Sequence, residues 1–106
     1  MPIVPARFVH HDQLARDVAK AIDKLGREVV RVNYGLGTDS TDEPSIFFRI
    51  VLTDSASRED KLADVTGRIA SILSREIRPY ENWGIVPYFS FRSKSEQAER
   101  NDPEWA

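Results

Sequence analysis

Four groups of residues in this 106-residue chain are of types that could do chemistry. His10-His11-Asp12 is the one histidine cluster, and imidazole beside carboxylate is the material of a metal site or a general base. Adjacent side chains point apart, however, and the positions that would have to complete a ligand set are Leu14, Ala15 and Arg16. The trio therefore reads as helix-entry residues in water. Gly35-Leu36-Gly37 resembles the start of a phosphate loop but lacks the third glycine and the helix that a dinucleotide fingerprint requires. Asp39, Asp42 and Glu43 offer oxygen ligands for calcium or magnesium at a spacing that fits no defined loop, so they read as an acidic hairpin tip. No catalytic residue, metal site or cofactor is expected from these three groups. The fourth is a set of arginines and aromatics, Arg31, Phe47, Arg49, Tyr88 and Arg92, whose chemistry is recognition rather than reaction.

The elements that position this set follow from periodicity. Residues 83–92, Trp-Gly-Ile-Val-Pro-Tyr-Phe-Ser-Phe-Arg, predict a strand that closes the fold, with Ile85, Pro87, Phe89 and Phe91 on the core face and Val86, Tyr88, Ser90 and Arg92 on the other. Residues 27–34 predict a strand with Val30, Val32 and Tyr34 inward and Arg27, Val29, Arg31 and Asn33 outward. Residues 45–53 predict a third, with Ile46, Phe48, Ile50 and Leu52 inward and Phe47, Arg49, Val51 and Thr53 outward. Between these last two lie residues 35–44, a composition of turn formers expected as a long, acidic, mobile loop.

Two helices complete the pattern. Leu14, Val18, Ala21, Ile22 and Leu25 recur at helical spacing over 12–25, with Asp12 as N-cap and Gly26 as stop. Leu62, Val65, Ile69, Ile72, Leu73 and Ile77 form one stripe of a second helix, opened by a capping box of Ser57 and Asp60 and ended by Pro79. The expected fold class is α+β, a two-layer sandwich in α-β-β-α-β order with both helices on one face of a small mixed sheet. The strands at 27–34 and 45–53 should form an antiparallel hairpin, and the last strand should run parallel to the second. Residues 1–11, with Pro2 and Pro5, form an N-terminal arm or edge strand; 12–92 form the domain; 93–106 form a polar tail ending near Trp105. That tryptophan reads as a docking anchor on the domain or as a hook for a neighbouring subunit.

Two helices cover one face of a sheet, so the outward residues must meet water, a partner or a ligand. Collected, they hold Arg31, Arg49, Arg92, Phe47, Tyr88 and three valines, with no acid. Three readings compete. Arginine stems can solvate an exposed sheet; aromatics with arginine can form the centre of a protein interface; or bases can stack on Phe47 and Tyr88 while the arginines meet phosphate.

The element order resembles the type II KH arrangement of some RNA-binding and ribosome-associated domains, a likeness that would imply RNA binding. The Gly-x-x-Gly clamp of RNA-binding KH domains is absent, the one glycine of the second helix being Gly67 in Thr66-Gly67-Arg68. The Met-Pro-Ile start is similar to that of the tautomerase superfamily, which would make Pro2 an N-terminal base once Met1 is removed. Pro5 departs from that superfamily by breaking the first strand it needs.

Bulk properties narrow the choice. A hydrophobic fraction of 41% and a charged fraction of 30% describe an ordinary globular domain with no apolar run long enough for a membrane. There is no cysteine, which excludes thiol catalysis, thiolate metal sites and disulfides. With no basic-then-apolar leader, a cytoplasmic address is expected. The net charge of −2 weighs against nucleic acid. The leading expectation is a non-catalytic binding or assembly domain, a homodimer or the partner of another protein, using Arg31, Phe47, Arg49, Tyr88 and Arg92. RNA or another anionic ligand on the same face is the alternative, and a Pro2-based enzyme the third.

Overall fold

The computed structural model describes residues 10–105. Residues 1–9 of the expected arm, Pro2 among them, lie outside the described residues, while His10 and His11 belong to the start of α1. The expected α+β fold is observed: α1 (His11–Ile22), β1 (Val29–Thr38), β2 (Pro44–Leu52), α2 (Leu62–Ile77) and β3 (Val86–Ser93) form a mixed sheet in the order β1-β2-β3 with α1 and α2 on one side. β1 and β2 are antiparallel, and β2 and β3 are parallel. Three shorter elements add to it: α3 (Pro79–Trp83), α4 (Lys94–Arg100) and a 3-10 turn (Pro103–Trp105).

The core is what the two periodicities put on facing surfaces. Leu14, Val18 and Ala21 of α1 and Val65, Ile69, Leu73 and Ile77 of α2 close on Ile46, Phe48, Ile50 and Leu52 of β2. On this inner face Phe48 lies stacked on Phe89 at 5.3 Å between ring centres and tilted against Tyr34 at 6.4 Å, so one aromatic row crosses all three strands. Among the described residues no helix is long and apolar enough to cross a membrane.

Several boundaries differ from the sequence expectation, each for a local reason. The 35–44 loop is mostly strand: Gly35, Leu36 and Gly37 pair with Phe47, Ile46 and Ser45, leaving only residues 39–43 for the turn. The glycines are there because large side chains of β2 lie over them; a methyl group on Gly35 would sit 3.3 Å from the Arg49 guanidinium, and one on Gly37 would sit 3.4 Å from the Phe47 ring. In β1 the register shifts between Val29 and Arg31, a bulge that leaves Val30 over. Val29 therefore packs on the core and Val30 is 41% exposed, the reverse of strict alternation.

The capping box expected at Ser57 does not form. Ser57 instead donates its hydroxyl back to the Thr53 carbonyl at 3.0 Å, residues 54–61 run as turns, and α2 starts at Leu62 with Lys61 in the cap position. Trp83 and Gly84 belong to the end of α3, Gly84 closing it at φ 67°, so β3 is shorter than expected. The turn from α2 into α3 has Arg78 at φ 50° followed by Pro79 and contains no glycine. His10, and not Asp12, takes the N-cap position of α1, without a side-chain bond.

Candidate functional site

The sheet surface away from α1 and α2 is built in rows by strand register. Arg31, Val51 and Arg92 form the first row; Asn33, Arg49 and Ser90 the second; Gly35, Phe47 and Tyr88 the third. All five residues singled out from the sequence, Arg31, Phe47, Arg49, Tyr88 and Arg92, thus lie on one face. Val29, expected among them, is removed by the bulge.

What lies over these rows was not legible from alternation. The polar tail is not extended: Ser93 opens α4 with a true capping box, its hydroxyl accepting from the Glu96 amide at 3.0 Å while the Glu96 carboxylate accepts from the Ser93 amide at 3.3 Å. The Ser-x-x-Glu spacing was the available signal for this helix. Asp54 pins its first turn, accepting from the Ser95 amide at 3.0 Å and from the Ser95 hydroxyl, which holds the Asp54 carboxyl below its usual range. Asn101 at φ 49° then ends the helix and turns the chain across the sheet.

Residues 102–105 land on the arginines. The Arg31 Nε donates to the Trp105 carbonyl at 2.9 Å. The Arg49 guanidinium stands 3.8 Å from the Glu104 carboxylate. Arg92 donates to the Gln97 Oε1 at 3.1 Å, stands 3.4 Å from the Asp102 carboxylate and lies 4.2 Å over the Trp105 ring. Gln97 in turn donates to the Asp102 carbonyl at 2.8 Å. Trp105 is only 6% exposed, so it docks on its own domain rather than serving as a hook for a neighbour.

The third row has no such cover among the described residues. The rings of Phe47 and Tyr88 stack at 5.5 Å and 15°, with Tyr88 41% exposed. The Tyr88 hydroxyl donates to the Asp39 Oδ2 at 2.7 Å, which raises the phenol above its usual range. Asp39 also accepts from the Thr41 hydroxyl at 2.7 Å and from the amides of Thr41 at 2.8 Å and Glu43 at 3.0 Å. Led by the Thr41 hydroxyl and then by Tyr88, these bonds pull the Asp39 carboxyl from 3.8 to about 2. Asp39 is thus the staple that fixes both the hairpin turn and the tyrosine ring.

The remaining chemistry is sparse. Among the described residues no three His, Asp or Glu side chains gather to hold a metal ion. The His10 ring contacts the Trp83 ring at 5.6 Å between centroids. A groove of about 510 Å³ lies where α2, β2, β3 and α4 meet and is lined by Leu52, Leu62 and Phe91. Its carboxylates, Glu59 and Glu96, share the groove with Arg92 but with no histidine to form an acid–base pair. Compared with protein-family models, curated proteins and solved structures, the chain matches none.

Proposed function

We propose that this chain is a small non-catalytic domain that works by binding, and that its contact surface is the aromatic end of the sheet face, where a second copy of the chain docks to form a homodimer. The observation that supports this most is the Phe47–Tyr88 stack, solvent-facing and held by Asp39. Aromatics presented in one orientation suit an interface because little side-chain entropy remains to be lost on docking. Gly37 leaves room for the Phe47 ring to lie across β1 beside Tyr88. A cysteine-free composition suits a cytoplasmic setting.

Nucleic acid is the weaker reading on two counts. The arginines that would meet phosphate are already engaged by Asp102, Glu104 and the Trp105 carbonyl. The carboxylate of Asp39 stands beside the ring on which a base would stack, and it repels phosphate.

Light scattering over a range of concentrations tests the proposal. The wild-type chain should run as a dimer and Phe47→Glu as a folded monomer. A wild-type chain that stays monomeric at every concentration, or a dimer that survives Phe47→Glu, overturns it.

A further inference from the structure

We propose that the arginine half of the same face is a second binding site, for an acidic protein segment that carries an aromatic residue, and that residues 94–105 are a displaceable cover occupying it in the resting chain. The inference rests on reading the sheet face as a contact surface, but on different rows of it. The cover itself displays the chemistry the site accepts: two carboxylates, Asp102 and Glu104, one indole and one backbone carbonyl, set against three arginines. Two guanidinium forks with Val51 between them, and a third in the next row, suit a segment of this kind.

The way the cover is attached makes it displaceable. Where α1 and α2 each bury three or more apolar side chains, α4 buries only Gln97. A cleft of about 320 Å³ separates α4 from Val30, Arg31 and Val51 of the sheet. Trp105 is the one buried apolar residue of the segment, and the ion pairs, at 3.4 and 3.8 Å, are loose. Held by hydrogen bonds, two ion pairs and one tryptophan rather than by an apolar stripe, the segment opens at lower free energy than the core. A partner segment of the same chemistry then competes for the vacated arginines, and its apparent affinity is set by the fraction of chains that are open.

The test uses the full chain carrying Asp102→Ala, Glu104→Ala and Trp105→Ala together, with a capped synthetic peptide of the sequence Asn-Asp-Pro-Glu-Trp-Ala as probe. Arginine Nε–H signals of Arg31, Arg49 and Arg92 are followed by NMR as peptide is added to about 5 mM, a range that reaches weak binding. The triple variant should show saturable shifts at all three, the wild type should need about ten-fold more peptide, and adding Arg49→Glu to the variant should abolish the effect. A peptide with lysine in place of both acids should be inert. No shifts in the folded variant, equal shifts with the lysine peptide, or shifts with a uridine oligonucleotide and none with the peptide overturn the proposal. Hydrogen exchange on the wild-type chain keeps it open to refutation should the variant not fold: amides of 95–105 must exchange well before those of 46–52, and exchange of both as one unit overturns it. None of these outcomes depends on Phe47, Tyr88 or the oligomeric state, so this inference and the dimer can fail separately.

Discussion

The two halves of the sheet face are made by the same three strands, at the same alternation, and end in opposite conditions. The arginine half is covered by its own chain, its charges met by Asp102 and Glu104. Among the described residues the aromatic half is open, yet the Tyr88 hydroxyl is met by Asp39 from the hairpin turn. In both cases the acid that balances the strand residues comes from an irregular segment outside the sheet. A face that is acid-free along its strands is therefore not an acid-free surface. The charged rows of this face draw in the chain's own carboxylates, while among the described residues the aromatic row keeps Tyr88 exposed.

The comparison is most strongly tested by introducing charge into the aromatic half. In the proposed dimer Phe47 is the anchor, and Phe47→Glu should weaken dimerisation by at least about thirty-fold, the scale of a hot-spot residue, without changing the far-ultraviolet circular dichroism. A core control, Leu73→Ala, should instead lower global stability by about 2–5 kcal/mol in urea unfolding, because it empties a site that is 0% exposed.

Trp105→Ala sharpens the other half. Were residues 94–105 an integral part of the core, losing a tryptophan would cost about 3–5 kcal/mol. With a cover that opens on its own, the loss is capped by the free energy of that opening, and the urea midpoint should move by the equivalent of only about 1–2 kcal/mol. Amide protection should vanish over 95–105 and persist over 46–52. Asp54→Ala, which removes the staple to Ser95, should act the same way and more weakly.

The smallest expected effect is a titration. The Asp39 carboxyl should titrate near 2 rather than 3.8, and Tyr88→Phe should bring it part of the way back, since the Thr41 and Glu43 bonds remain. The sign for stability follows from the lowered value: the turn's contribution is complete above pH 3.8 and is lost as pH falls through about 2. Carbon-detected NMR of the Asp39 side chain between pH 1 and 6 reads this directly, each limit chosen to bracket the value by roughly a unit or more.

How much of this was legible in the chain depends on which force set each element. The helices and inner strand faces were, because Leu14, Val18, Ile69 and Leu73, or Ile46, Phe48 and Ile50, repeat at periods that burial imposes. The five outward residues were legible for the same reason. Gly35 and Gly37 misled because glycine usually marks a turn, and only the bulk of Arg49 and Phe47 across the hairpin explains them as strand. The bulge at Val30 misled because a run of valines carries no signal for an extra residue. The cover was missed because its helix has no apolar stripe; it is held by the Ser93–Glu96 box, by Gln97 and by one tryptophan at long range. The burial of Trp105 is a tertiary fact that periodicity does not encode.

Isotope-filtered NOE measurement on an equal mixture of labelled and unlabelled chains shows whether a second copy meets the aromatic half, as proposed, while the arginine half stays under its own cover. Contacts between chains should arise from the rings of Phe47 and Tyr88 and none from Trp105, whose contacts to Arg92 should all be within one chain. Contacts between chains centred on Trp105, or none from the aromatic pair, would contradict the account.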